Sequence, residues 1–162
     1  MHEALFLTAT KESRDKLNVS MTQHQSAQAN HPVAIYKAIT TKHNMQRNNK
    51  DHHDEDRTQS ATFLVVGQRI QLNGWNIAPS WGLYHGSIGT IVDIVFEKNK
   101  SPNKHDLPLC VICDFPDHKG PIFDEEHNSY VPIPSHVQIC VKGCGCQRIH
   151  VAFFPACAKT FH

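Results

Sequence analysis

The sequence predicts an α/β chain dominated by β-structure, and three observations carry that reading. From Phe63 onward, short apolar runs rich in β-branched residues recur between Gly, Pro and Asn turns, the spacing of a small barrel. Ahead of them stands a single strand-turn-helix unit, and between the two lies a stretch with almost no apolar residue. With 162 residues, 40% of them hydrophobic, the chain can bury one compact core or supply two small pieces of a larger one.

Taken in order, Ala4-Leu5-Phe6-Leu7 is a short apolar strand leading through Thr8-Ala9-Thr10 into the good helix formers Lys11 to Asn18. Thr10 is placed to cap that helix, with Ser13 and Asp15 near its positively polarised start. A polar stretch, Gln23 to His31, follows, and then Pro32 opens one strand running to Ile39. Residues 41–60 include Asn48-Asn49-Lys50-Asp51-His52-His53-Asp54-Glu55-Asp56, which cannot bury enough surface to offset ordering entropy, so they read as a disordered polar linker. Strands are expected over Leu64–Leu72, Gly89–Phe96, Leu107–Phe115 and Tyr130–Ile139, separated by Gly82, Gly86 and Gly89, by Ser101-Pro102-Asn103 and by Asp117 to Pro121. A Gly- and Cys-rich loop, Cys140 to Gln147, precedes a last strand-like run, Arg148 to Phe154. The ending Thr160-Phe161-His162 reads as an interrupted element, since a strand at a terminus normally needs a covering partner.

Charge excludes little by itself. The net charge is +1, divided as +1 over residues 1–60, −3 over 61–139 and +3 over 140–162, and no segment carries a dense Lys/Arg stripe. Thirteen His side chains could add positive charge beside phosphates. No run reaches the roughly 20 apolar residues of a membrane span, and the start lacks the basic and apolar regions of a signal peptide. The expectation is a soluble, intracellular protein, monomeric and without a membrane partner. All six cysteines lie in the last third, so reduced thiols or a metal site are expected rather than a disulfide framework.

Catalytic signatures are missing: there is no Gly-x-x-x-x-Gly-Lys-Ser/Thr phosphate loop, no Gly-x-Gly-x-x-Gly, no Gly-x-Ser-x-Gly and no His-Glu-x-x-His. No catalytic residue is therefore expected in this chain. Cys140, Cys144, Cys146 and His150 form a soft donor set within eleven residues, the kind zinc takes tetrahedrally, but without paired Cys-x-x-Cys knuckles. A metal-free loop is the first expectation and a zinc-stabilised binding module the alternative. Cys110 and Cys113 have knuckle spacing, yet in a strand they point to opposite faces and suit packing better. In Gly82-Leu83-Tyr84-His85-Gly86-Ser87-Ile88-Gly89, the three glycines read as a tight turn feeding a strand, with Trp81 and Tyr84 beside it as aromatics that could cover a barrel end or stack on bases.

That segment, continued by Thr90-Ile91-Val92, resembles the Gly-Leu-x-Asn-Gly-x-x-Gly-Thr-Val signature of the PIF and RecD-like branch of superfamily-one DNA helicases. The resemblance runs along most of the chain in order. Ala4 to Thr10 with Asn18 is similar to the strand and helix opening the latter part of the second RecA-like motor domain, and Val66-Gly67-Gln68-Arg69-Ile70-Gln71-Leu72 to the family's Val-Gly-Ala-Arg-Val-Met-Leu strand. Leu107 to Phe115, Lys119-Gly120-Pro121 and Val131-Pro132-Ile133-Pro134 resemble later barrel strands, and Ala156 to His162 the start of an Ala-x-Thr-x-His-Lys-x-Gln-Gly motif. Two departures stand out: His85 replaces the family's Asn, and the last motif stops at His162.

The resemblance implies an SH3-like barrel inserted in a motor domain. Residues 1–40 would be partial motor domain, 41–60 linker, 61–139 barrel insert, and 140–162 a Cys-rich loop with the return strand. It further implies a nuclear or mitochondrial fragment of an ATP-dependent helicase acting in DNA repair, recombination or telomere maintenance, inactive alone, with ATP and Mg held by the intact enzyme. Single-stranded DNA is the implied partner, met at Thr8, Thr10, Thr160 and His162, because strand-end hydroxyls and backbone amides are suitable phosphate ligands. A gene remnant without function is the remaining alternative.

Overall fold

The computed structural model describes residues 6–41, 61–73, 76–101, 104–139 and 146–160, with the side chains of residues 159 and 160 left aside. It is mostly β. In chain order come β1 (Phe6–Thr8), α1 (Lys11–Ala29), β2 (Ala34–Lys37), β3 (Ile39–Thr41), β4 (Ala61–Leu64), β5 (Arg69–Leu72), β6 (Ile88–Val95), β7 (Cys110–Asp114), β8 (Tyr130–Ile139), β9 (Gln147–Val151), β10 (Phe153–Pro155) and β11 (Ala158–Thr160). A seven-stranded antiparallel sheet, ordered β10-β5-β6-β7-β8-β9-β3, is flanked by the parallel pair β1-β11 and the antiparallel pair β2-β4. No ladder between its two ends closes the large sheet among the described residues.

Period-two alternation builds the core. Ile70 and Leu72 of β5, Val111 and Cys113 of β7, and Val131 and Ile133 of β8 turn the same way and pack with Leu64, Leu83, Ile91, Phe115, Val151 and Phe153. β8 changes neighbour midway: Tyr130 to Pro134 pairs with β7, and Ser135 to Ile139 with β9. A strand lacking one ladder over part of its length tolerates proline, which is where Pro132 and Pro134 lie. Val92 is skipped in the β6-β7 register, a bulge that coils the sheet. Tyr36 is buried against Phe96, ring centroids 6.0 Å apart, and burial pushes its phenol pKa well above the ordinary value.

Several local expectations are corrected. The helix continues past Asn18 through Gln23 to Ala29 and ends on left-handed Asn30, where the His31 amide donates to the Ser26 carbonyl. Its inward positions are the polar Asn18 and Thr22, so apolar periodicity could not show how far it runs. The strand expected from Pro32 to Ile39 is two: β2 pairs with β4 and β3 with β9, so the chain changes neighbour at Ala38. Leu64–Leu72 is also divided, by a turn at Val66-Gly67 with Gly67 at φ +85°. Ala152 separates β9 from β10 in the same way. Residues 42–60, read as linker, and Cys140 to Gly145 of the Cys-rich loop lie outside the described residues.

Candidate nucleic-acid interface

Of the four residues expected to meet DNA, the fold brings two to neighbouring strand positions. β1 and β11 run parallel in the register Phe6-Ala158, Leu7-Lys159, Thr8-Thr160, and the Phe6 amide donates to the Cys157 carbonyl at 3.0 Å. Both strands therefore end together, and α1 begins three residues beyond Thr8, at the C-terminal strand edge where open α/β sheets take their ligands. Thr10 caps α1: its hydroxyl oxygen accepts from the Ser13 amide at 3.1 Å, and its hydroxyl lies 2.9 Å from the Ser13 hydroxyl. Thr8 Oγ1 donates to the Thr10 carbonyl at 3.3 Å, tying the strand end to the cap.

The cap accounts for one of the first amides of α1, leaving those of Lys11 and Glu12 with no partner among the described residues. The local cations are mostly engaged. Lys16 pairs with Glu12 at 2.7 Å and Arg14 with Asp15 at 2.6 Å, while the Arg14 guanidinium also lies 5.7 Å from the Phe154 ring centroid. Lys11 has no ion-pair partner among the described residues. Among the described residues the edge thus offers exposed amides, the Thr8 and Thr10 hydroxyls and one uncommitted ammonium, and no Gly-rich cradle for a triphosphate.

Behind the edge runs a buried polar relay that sequence reasoning missed. Asn18 Oδ1 accepts from the Ala158 amide at 2.8 Å and its Nδ2 donates to the Ala158 carbonyl at 3.4 Å, clipping α1 to β11. Thr22 donates to the Asn18 carbonyl at 2.8 Å and accepts from Gln68, whose carbonyl accepts from Ile91 of β6. Gln25 donates to the Gly67 carbonyl at 2.7 Å. A polar i, i+4, i+7 row on a helix was the available signal, but such rows ordinarily face solvent.

The other expected positions fall elsewhere. His162 and the side chain of Thr160 lie outside what is described, as do Cys140 and Cys144. Cys146 is half-buried, and His150 is buried with Nδ1 donating to the Val151 carbonyl at 2.7 Å, its ring 5.9 Å from that of His136 across the β8-β9 ladder. No three metal-ligating side chains converge among the described residues. Gly82 and Gly86 hold φ of +83° and +100° in the turn. Gly89 does not belong to the turn: it lies in β6, and what it supplies is room, since a Cβ there would stand 2.7 Å from the Phe115 ring.

No family model and no curated protein matches the chain. Solved structures do. A structure reported for DNA unwinding at forked double-stranded DNA by two coordinating Pif1 helicases is 13% identical, with a TM-score of 0.63 over 99% of this chain and 30% of that one. Pif1 helicase from Candida albicans is 18% identical, with a TM-score of 0.62 over 96% of this chain and 35% of that one. Bacteroides Pif1 in complex with ADP-AlF3 and single-stranded DNA is 12% identical, with a TM-score of 0.58 over 98% and 31%. The likeness is one of fold, and the chain spans 30–35% of the length of these three proteins.

Proposed function

We propose that this chain is part of an ATP-dependent DNA helicase of the PIF-like family, contributing to guidance of single-stranded DNA rather than to the chemistry. The observation that carries the proposal is the in-register parallel pair β1-β11, ending at Thr8 and Thr160 beside the capped start of the 19-residue α1. Three similar folds belong to Pif1 helicases, one of them bound to ADP-AlF3 and single-stranded DNA, which supports the strand as partner and ATP with Mg as the cofactors of the intact enzyme. Residues 1–40 and 140–162 then belong to a motor domain and 61–139 to an inserted unit joined by a 41–60 linker. We read that unit as an SH3-like barrel closed by the return segment that follows it: β9 and β10, within residues 140–162, stand far apart in the sheet order yet are separated in sequence by Ala152 alone, which links the two ends of the β5-to-β8 run.

At the edge, Thr8, Thr10 and the Lys11 and Glu12 amides would hold a phosphate by hydrogen bonds, with Lys11 supplying the charge and His162 extending the contact. With so few cations the chain alone binds weakly. The test is a fluorescence anisotropy titration with a labelled oligo-dT of about 16 nucleotides, a length within reach of single-strand binding sites. Log affinity should fall against log salt with a slope of about −0.7 per phosphate neutralised, the slope expected for one phosphate held by Lys11. Thr8→Val and Lys11→Ala should each weaken binding at low salt. Tight binding that survives high salt, or affinity unmoved by both substitutions, counts against this edge as the DNA contact.

A further inference from the structure

Two loops meet at one end of the sheet. In the first, Ala78 and Leu83 exchange backbone hydrogen bonds at 2.9 and 3.1 Å around the 3-10 turn Pro79–Trp81, and buried Leu83 anchors the loop. Ser87 Oγ donates to the Gly82 carbonyl at 2.8 Å and accepts from the Tyr84 amide at 3.0 Å, fixing the two aromatics that flank Leu83. In the second loop the Lys119 amide donates to the Trp81 carbonyl at 2.9 Å, and Gly120 passes so close that a Cβ there would stand 2.6 Å from both the indole and the His118 ring. His118 Nε2 donates to the Pro121 carbonyl at 3.1 Å, and its ring centroid lies 6.3 Å from that of Phe123.

The loops are thus held by backbone bonds while their largest apolar side chains stay in solvent. Trp81 is 37% exposed, Tyr84 49%, Phe123 52% and Ile122 59%. Exposed apolar residues scattered singly mean nothing, but Trp81, His118 and Phe123 are contiguous through Gly120, and such clusters mark interaction surfaces. Charge decides the kind of partner. Residues 115–130 carry Asp117, Asp124, Glu125 and Glu126 against Lys119 alone, and 76–89 carry no charged residue. Asp124 accepts from the Glu126 amide at 2.9 Å and from His127 at 3.1 Å, which holds its carboxyl below the ordinary carboxylate range. This rim repels a phosphate backbone and attracts cations, which aromatic faces also bind.

We propose that the Trp81-His118-Phe123 face, with its Asp117 and Asp124-Glu126 rim, docks an extended, proline-containing peptide bearing arginine or lysine. Proline-rich segments dock on aromatic surfaces with little ordering cost, and the rim would read their charge. The proposal stands apart from the DNA edge, since the two use different residues.

The test is anisotropy of the full chain with a labelled repeating Pro-Pro-Arg peptide, with unlabelled oligo-dT as competitor. Saturable binding is expected, weakened by salt and insensitive to oligo-dT. Glu125→Lys combined with Glu126→Lys, both exposed and therefore safe for folding, should weaken it about tenfold, as should Phe123→Ser. Trp81→Ala should do the same, but Trp81 packs on Gly120, so the other two variants decide if it misfolds. Absence of saturable binding overturns the proposal, as does affinity unchanged in the charge and Phe123 variants. Competition by oligo-dT that the Phe123 substitution abolishes would overturn it in favour of a base-stacking platform.

Discussion

Replacing Asn18 by alanine tests whether α1 positions β11 through its side chain. The substitution removes the acceptor of the Ala158 amide at 2.8 Å and the donor to its carbonyl at 3.4 Å, at a site where Ala158 is fully buried. Leaving a buried amide unsatisfied costs about 1–3 kcal/mol, and the longer second bond adds little. Against this, alanine is a better helix former than asparagine by at most ~0.7 kcal/mol. The desolvation cost wins, for a net loss of about 1–2 kcal/mol. Followed by far-UV circular dichroism in urea, with a slope of ~2 kcal/mol per molar, the midpoint should fall by about 0.5–1 M. Leucine at the same position should be worse, since it also brings a bulkier side chain against Thr22 and β11. A midpoint that stays put or rises in Asn18→Ala would refute the idea that this amide clip holds the strand carrying Thr160.

Two further predictions follow from other parts of the molecule. Gly82→Ala should lower Tm most among the glycines, because φ is +83° and the new Cβ would stand 2.5 Å from the Asp117 carbonyl oxygen. Gly89→Ala meets the Phe115 ring at 2.7 Å without backbone strain and should cost about 1–3 kcal/mol, while Gly67→Ala meets nothing nearer than 3.8 Å and should cost only its positive φ. Calorimetry that ranks Gly67 with the other two would show that packing does not govern these sites. His136 is desolvated, which lowers its folded-state pKa below the ordinary 6.5. Its neutral form is the one the fold accommodates, so the contribution is full above pH 6.5 and is lost as pH falls through the lowered value. Urea midpoints measured from neutral to mildly acidic pH should therefore fall less in His136→Gln than in the parent chain, and parallel profiles would disprove the assignment.

What was legible in the sequence was local. Tyr130–Ile139 could be bounded because its residues alternate between two environments over a long run, and the Thr10 cap because a threonine before good helix formers can satisfy an orphan amide of the first turn. The ordered motifs resembling helicase segments also put Thr8 and Thr160 on one list before any geometry joined them. What stayed illegible depends on partners distant in the chain. α1 extends to Ala29 because Asn18 and Thr22 find Ala158 and Gln68, and a polar residue carries no mark of whether water or protein will satisfy it. Gly89 reads like its neighbours Gly82 and Gly86, yet only the arrival of Phe115 distinguishes a glycine needed for space from one needed for positive φ. The sequence by itself determined the β-rich character, the bounds of the Tyr130–Ile139 strand and the capped helix start, since propensity and capping act over a few residues. Tertiary structure alone decided the pairing of Thr8 with Thr160, the partner changes at Ala38 and Ala152, and the exposure of Trp81 and Phe123, because each depends on which distant backbone groups and rings compete for the same space.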